Sequence, residues 1–139
     1  MVLDHKVRVF VFRFEGDHWD YLLLRRKPQQ EHGFGPVRGI VGLSEKLQDT
    51  VLREVREETG LARPTYLIDL EHISRFCFGE EGLIEWDFAF QAPGGELEIH
   101  HGPCIAESFW ANFDQAFETM ELAEDRQSLV RLRIHLDAG

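Results

Sequence analysis

Three glutamates stand close together in a run of charged and apolar residues between positions 39 and 61, GIVGLSEKLQDTVLREVREETGL. Glu54, Glu57 and Glu58 are spaced i, i+3 and i+4, so on a helix their carboxylates project from one patch of surface. Like charges at that spacing cost about 0.2–0.5 kcal/mol per pair. A divalent cation such as Mg²⁺ or Mn²⁺ would relieve this repulsion, because these ions bind a few carboxylates and bridge to phosphate groups.

Two arginines lie within the same acidic run. Arg53 and Arg56 are expected to relieve only part of the repulsion, since each can neutralise one neighbour. For any glutamate-rich helix taken alone, the alternative is a solvated acidic face without a ligand.

The run also predicts the helix that must carry these carboxylates, from residue 45 to residue 59. Ser44 is the expected N-cap and Gly60 the expected residue just beyond the C-terminus, where a positive φ is easily adopted. The apolar stripe that would face the core recurs every four positions at Leu47, Val51 and Val55.

The complete pattern resembles the signature of the Nudix hydrolases. That signature is a Gly, then a Glu, then Arg-Glu-apolar-any-Glu-Glu-any-Gly-apolar, and nine positions of this chain match it. They are Gly39, Glu45, Arg53, Glu54, Val55, Glu57, Glu58, Gly60 and Leu61.

The resemblance implies a metal-assisted attack of water on a diphosphate, with Mg²⁺ (or Mn²⁺) as cofactor. It makes Glu54, Glu57 and Glu58 metal ligands, with the backbone carbonyl near Gly39 as a further ligand. The implied catalytic residues are Arg53, Glu54, Glu57 and Glu45. Arg53 would orient a carboxylate, and Glu45 would support a metal-bound water or a neighbouring arginine.

Departures from the family pattern leave the general base open. Ser44 replaces the small glycine that usually precedes the first glutamate of the signature. Many relatives carry another glutamate six residues before a late tryptophan, whereas Cys104 holds that position relative to Trp110. The remaining candidates for the base are Glu54, Glu80, Glu81 and Glu107.

Phosphate contacts are predicted from basic residues on either side of a loop. Arg25 and Arg26 end the second predicted strand, and Arg38 precedes the first glycine of the signature. Aromatic side chains on which a base or pterin could stack, or which fill the core, are Phe76, Phe78, Trp86, Phe88, Phe109 and Trp110.

Three readings of the function compete. The segments 84–90 and 125–127 are similar to enzymes that remove diphosphate from nucleoside triphosphates or dihydroneopterin triphosphate. We therefore expect a pyrophosphohydrolase that converts a nucleotide-like triphosphate to a monophosphate and diphosphate. The alternatives are a hydrolase of dinucleoside polyphosphates or nucleotide sugars, and a non-catalytic Nudix domain that binds a nucleotide. A pure binder would have no reason to keep three mutually repelling carboxylates.

Size and charge predict one domain, residues 1–139, with a small-molecule partner. The chain has 139 residues, 43% of them hydrophobic, and a formal net charge of −10. That charge argues against a nucleic-acid polymer or an anionic membrane as the main partner. No apolar run has transmembrane or signal-peptide character, so a cytoplasmic location is expected. The oligomeric state is left open, with a homodimer as one alternative.

Alternating and periodic apolar residues predict the elements around the signature. Strands are expected at residues 6–14, 21–24, 66–78, 83–91 and 107–111, a loop at 27–38, and a helical region from Asp114 onward. Cys77 and Cys104 are expected to pack as small apolar residues in a reducing compartment. The resemblance implies an α/β/α sandwich with a mixed β-sheet, while the pattern alone indicates α/β or α+β.

Overall fold

A computed structural model describes residues 2–27 and 33–138 of the chain. Within these residues a mixed sheet is accompanied by three helices. The elements are β1 (Val2–Glu15), β2 (His18–Arg26), β3 (Phe34–Gly35), β4 (Val37–Ile40), α1 (Leu47–Thr59), β5 (Tyr66–Phe78), β6 (Glu81–Gln91), β7 (Ile105–Ala111), α2 (Phe113–Thr119) and α3 (Ala123–Ala138).

The long strand β1 organises the sheet, whose main order is β3-β2-β1-β6-β5. β1 pairs in parallel with β6, from Val2 opposite Glu81 to Phe12 opposite Gln91. Its other edge pairs antiparallel first with β4 and then with β2, and β7 pairs with β2. The short strand β4, which leads into the signature, is therefore fixed against the middle of the molecule.

Alternate residues of β1 supply two separate cores, one on each face of the sheet. Val7 and Val9 pack with Val51 and Val55 of α1. On the opposite face Phe10 and Phe12 pack with apolar residues of α2 and α3, among them Ala116, Leu129 and Leu132. Successive side chains of a strand point to opposite faces, so this alternation is what a sheet between helices requires. The predicted α/β/α sandwich is confirmed.

The expected loop at residues 27–38 is wrong in its second half. Phe34–Gly35 forms β3 against β2, and Val37–Ile40 forms β4 against β1. Pro36 lies between these two strands, at a position outside either ladder, so it separates them without removing a hydrogen bond. Pro28 and the rest of segment 28–32 lie outside the described residues.

The expectation that both cysteines are packed in the core is also wrong, because Cys77 and Cys104 are exposed. Cys77 lies near the hairpin end of β5, and Cys104 lies in the turn before β7. None of the helices in the described ranges has the length and apolar character needed to cross a membrane.

Candidate active site

Helix α1 begins later than its sequence predicts, at Leu47, with Lys46 as the N-cap. Ser44 is not the cap. It lies in the preceding loop with φ 62°, the left-handed region that favours glycine, which is the residue the family pattern has there. The turn is held instead by Glu45, whose carboxylate accepts hydrogen bonds from the Gly42 N–H (2.9 Å) and the Thr50 hydroxyl (2.6 Å).

The C-terminal end of α1 is closed by two glycines. Gly60 has φ 80° and donates its N–H to the Arg56 carbonyl, which confirms its predicted place beyond the last helical residue. Gly102 lies against the backbone of the last turn and donates to the Glu58 carbonyl. A Cβ atom at Gly102 would lie 2.2 Å from the Glu57 carbonyl oxygen, so only glycine permits this approach.

Arg53 is the centre of what we call the signature cluster, which consists of Glu45, Arg53, Glu54 and Glu57. Its guanidinium donates two hydrogen bonds to Glu45 (2.9 and 3.0 Å), one to Glu54 (2.7 Å) and a long one to Glu57 (3.4 Å). It also donates to the Ile40 carbonyl (3.0 Å). For Arg53 the expectation that it neutralises one neighbour is therefore wrong, because a forked guanidinium reaches several acceptors at once.

The contact between Arg53 and Glu45 shifts the pKa of both side chains. The hydrogen bonds from Arg53 and Thr50 lower the pKa of Glu45 to about 2. The hydrogen bond to Glu45 in turn raises the pKa of the Arg53 guanidinium above its ordinary value. Glu45 is expected to support either a metal-bound water or a neighbouring arginine. The structure contains the contact with an arginine.

Glu54 lies directly against Gly39 of β4. A Cβ atom on residue 39 would lie 2.0 Å from the carboxyl carbon of Glu54, so glycine is required for this approach. Burial raises the pKa of Glu54, and the Arg53 contact opposes that shift. The Glu54 carboxylate is thus desolvated and held from one side by an arginine.

Glu57 and Glu58 differ strongly in their surroundings. The Glu57 side chain is 53% exposed, and the long contact with Arg53 is its one ion pair among the described residues. Glu58 is nearly buried and accepts two hydrogen bonds from the Arg26 guanidinium (2.7 and 2.9 Å) and a long one from the Arg38 N–H (3.4 Å). Burial raises the pKa of Glu58, opposed by Arg26.

The donor chemistry of this site fits a hard divalent cation, since carboxylate oxygens are the ligands that Mg²⁺ takes in proteins. The seat that Gly39 provides for Glu54 supports the fit, because any larger residue would displace this carboxylate. Among the described residues no three acidic, histidine or cysteine side chains converge closely enough to enclose an ion unaided. Glu54 and Glu58 instead face Arg53 and Arg26.

The structure places the predicted phosphate-binding arginines in three different settings. Arg25 pairs with Glu107 on the exposed side of β7 (2.5 Å), and Arg26 pairs with Glu58. Arg38 contacts Glu85 (3.3 Å) and Asp125 through its side chain. Arg26 and Arg38 nevertheless line one cavity of about 370 Å³ together with Lys6, Gly39 and Ile40. Arg25 does not line that cavity.

Sequence reasoning did not bring together a second group of polar and charged side chains, which we call the buried cluster: Arg8, Arg38, Glu85, Asp87, Asp125 and Ser128. Arg8 is 1% exposed and lies 3.0 Å from Glu85, 3.0 Å from Asp87 and 3.1 Å from Asp125. Ser128 joins Arg8 (2.8 Å) to Asp87 (2.5 Å). Burial raises the pKa of Asp87, and Arg8 opposes it.

The sequence contains one signal for this cluster. Arg8 interrupts the apolar run VRVFVF, and Asp87 interrupts the apolar end of β6. In a strand with helices on both faces a charged residue is buried, so it needs a partner. The structure also brings together segments 84–90 and 125–127, which resemble those of triphosphate pyrophosphohydrolases, because Asp87 and Asp125 both contact Arg8.

The other candidates for base and ligand contact are scattered. Glu80 and Glu81 are exposed where β5 turns into β6, and Glu107 is paired with Arg25. Several of the aromatic candidates belong to the cores, namely Trp86, Phe88, Phe109 and Trp110. Phe76 and Phe78 instead line a second cavity, of about 240 Å³.

Comparison with solved structures shows the same fold in several proteins of low sequence identity. An Ap4A hydrolase from C. elegans matches with a TM-score of 0.77 and 16% identity, over 98% of this chain and 99% of that one. The dihydroneopterin triphosphate pyrophosphohydrolase of E. coli matches with a TM-score of 0.79 and 20% identity, over 97% and 99%. The NUDIX domain of Shewanella oneidensis NrtR, solved with ADP ribose, matches with a TM-score of 0.76 and 19% identity, over 98% and 88%.

No curated protein sequence matches this chain. The family model of the NUDIX domain matches residues 4–132, which include the signature, the cavity around Gly39 and every member of the buried cluster. The chain therefore belongs to the Nudix family, whose members are hydrolases of phosphoric anhydrides.

Proposed function

We propose that this chain, as a single domain, is a Mg²⁺-dependent pyrophosphohydrolase that cleaves a nucleotide-like triphosphate to a monophosphate and diphosphate. The observation that carries the proposal is the arrangement around Gly39. The desolvated Glu54 carboxylate lies against this glycine, and the same glycine lines a cavity with Lys6, Arg26 and Arg38. Acidic groups for a metal and basic groups for phosphates therefore meet at one residue of β4.

The residues that would hold the metal are Glu54, Glu57 and Glu58, with the backbone at Gly39. When bound, the ion would neutralise phosphate oxygens and make water a better nucleophile. Arg53 holds Glu54 in place, and Arg26 holds Glu58. Glu54 remains the first candidate for the general base, because its carboxylate lies against Gly39, at the edge of the cavity of about 370 Å³.

Phosphate binding is assigned to the cavity of about 370 Å³. Lys6 and Arg38 bring positive charge there, and a guanidinium can pair with two phosphate oxygens. Arg25 is a weaker candidate because it lies outside this cavity. The triphosphate is preferred over a dinucleoside polyphosphate because the two segments with the matching resemblance contact each other through Arg8.

The decisive experiment is a screen of triphosphates, dinucleoside polyphosphates and nucleotide sugars with Mg²⁺, with the products separated by chromatography. We expect diphosphate and a monophosphate from a triphosphate, and no turnover in excess EDTA. Orthophosphate as the primary product, or preferred cleavage of a dinucleoside polyphosphate, would move the assignment to the alternative substrate class. Ligand binding without hydrolysis of any compound would favour a non-catalytic domain.

Glu57→Gln tests the metal assignment most cleanly because this side chain is exposed and weakly held. We expect kcat to fall by at least about 10²-fold with an unchanged free energy of unfolding. Asp49→Asn, an exposed acid in the first turn of the same helix, is the matched control and should keep wild-type turnover. Near wild-type kcat in Glu57→Gln would refute the role of this carboxylate.

A further inference from the structure

The second cavity, of about 240 Å³, lies on the α3 face of the sheet, where β5 ends and β6 begins. Its apolar walls include Phe76, Phe78 and Leu83, and its acidic groups are Glu85 and Glu124. Phe76 and Leu83 are neighbours in the β5–β6 ladder. They therefore present one continuous wall across the two strands.

This cavity adjoins the proposed phosphate site. Lys6 and Arg38 line both cavities, so the two spaces meet along these residues. The signature carboxylates lie on the Gly39 side of Arg38, and the second cavity lies on its Asp125 side. A substrate with its phosphates at Gly39 would therefore extend its remaining part past Arg38 into the second cavity.

The walls suit a flat heterocycle. Phe78 is 65% exposed, a large apolar side chain left in water beside a concave surface. Covering such a ring with a planar ligand removes apolar area from water, and a base can stack on the aromatic ring.

The acidic groups restrict which heterocycle fits, because a carboxylate accepts hydrogen bonds and does not donate them. Both oxygens of Glu85 are engaged, one by Arg8 and the other by Arg38. Glu124 is half-buried and has no salt bridge within the described part of the chain. Glu124 is therefore the group positioned to accept from a ligand.

We infer that this cavity receives the heterocycle of the substrate and that Glu124 selects a ring whose edge carries adjacent N–H donors. The inference rests on the proposed function and deepens it. A 2-amino-4-oxopyrimidine edge, which guanine and pterins share, places a ring N–H beside an exocyclic amino group and so matches the two oxygens of one carboxylate. An edge without the amino group loses one of these bonds.

Glu124 also lies in the first turn of α3, where an acidic side chain stabilises the helix dipole. That role would make Glu124→Gln slightly less stable but would not change the preference between two heterocycles. The test must therefore measure discrimination.

The probes are GTP and ITP, which differ only in the exocyclic amino group. Because a hydrogen bond to a charged group is stronger than one between neutral groups, we expect wild-type kcat/KM to favour GTP by at least about tenfold. The Glu124→Gln variant keeps one acceptor oxygen and should lower this ratio, and Glu124→Ala, which has no acceptor, should bring it close to one. Glu118→Gln, on the exposed side of α2, is the matched control and should keep the wild-type ratio.

A binding measurement separates this inference from the proposed function. Calorimetry with GMP and IMP, in the absence of metal, should show the same preference and the same loss in Glu124→Gln. If no triphosphate is hydrolysed but GMP is still preferred, the proposed function fails and the heterocycle site stands. Equal affinity of the wild type for GMP and IMP, or an unchanged preference in Glu124→Gln, would overturn the inference.

Discussion

The signature cluster and the buried cluster lie on opposite faces of the sheet. Both combine arginine with carboxylates, but the first is partly exposed and the second is buried. In the signature cluster Arg53 is 30% exposed and Glu57 is 53% exposed, and the members lie within 13 positions of one another. In the buried cluster Arg8 is 1% exposed, and its partners lie 77 to 120 positions away. An open cluster can exchange one contact for a ligand, whereas a closed one fixes the strands and the helix that it joins.

The largest expected effect concerns stability and the buried cluster. Arg8→Met leaves the buried Asp87 without a guanidinium, and Glu85 and Asp125 with that of Arg38 alone, so we expect a loss of about 3–5 kcal/mol in the free energy of unfolding. Urea denaturation measures this loss. Arg53→Met, in the open cluster, should lose less, because the remaining carboxylates are 13% to 53% exposed and so keep part of their contact with water. Equal losses in the two variants would contradict the distinction between the clusters.

The next effect concerns activity and the signature cluster. Gly39→Ala places a methyl group where the carboxylate of Glu54 lies, and this flexible side chain must move away. We expect kcat to fall by about 10²-fold, equivalent to about 2.7 kcal/mol in the activation barrier, with little change in stability. The matched control is Gly94→Ala, which has open space around the added atom and should behave as the wild type in both assays. Retained turnover in Gly39→Ala would show that the position of Glu54 is not critical.

The smallest effect is a pH dependence that comes from Glu45 of the signature cluster. The pKa of Glu45 is lowered to about 2 by Arg53 and Thr50, so its ionised form stabilises the folded state above about pH 4.5. This contribution is lost as the pH falls from about 4.5 to about 2. The difference in free energy of unfolding between the wild type and Glu45→Gln should therefore shrink across that window. A difference that stays constant from pH 5 to pH 2 would contradict the lowered pKa.

The parts of the fold that could be predicted are those that depend on local sequence patterns. The alternation in β1, the stripe of Val51 and Val55 and the residue Gly60 each depend on neighbours within a few positions, and the structure confirms them. The start of α1 could not be predicted in the same way. Serine is a common N-cap residue, so the sequence predicts Ser44 as the cap. The hydrogen bonds of Glu45 instead fix the loop in which Ser44 has a positive φ.

The same distinction between local and long-range contacts applies to the candidate site. The sequence brings Glu54, Glu57 and Arg53 together through helix periodicity alone. It could not indicate that Arg26 is occupied by Glu58, or that Arg25 is occupied by Glu107 at a separation of 82 residues. Pairings of that range depend on the register of β2 and β7 and on how α1 packs, which no local pattern records.

The parallel pairing of β1 with β6 has a consequence for the order of folding. The hairpin β5–β6 closes through the short turn at residues 79–80, but β1 meets β6 only across a separation such as the 79 residues between Arg8 and Asp87. Closing a long loop costs more chain entropy than closing a hairpin, so we expect the hairpin to form early and the parallel ladder to form late. Lys6 and Phe78 come to line one cavity only once that ladder exists. The recognition of a substrate and the completion of folding therefore depend on the same late step.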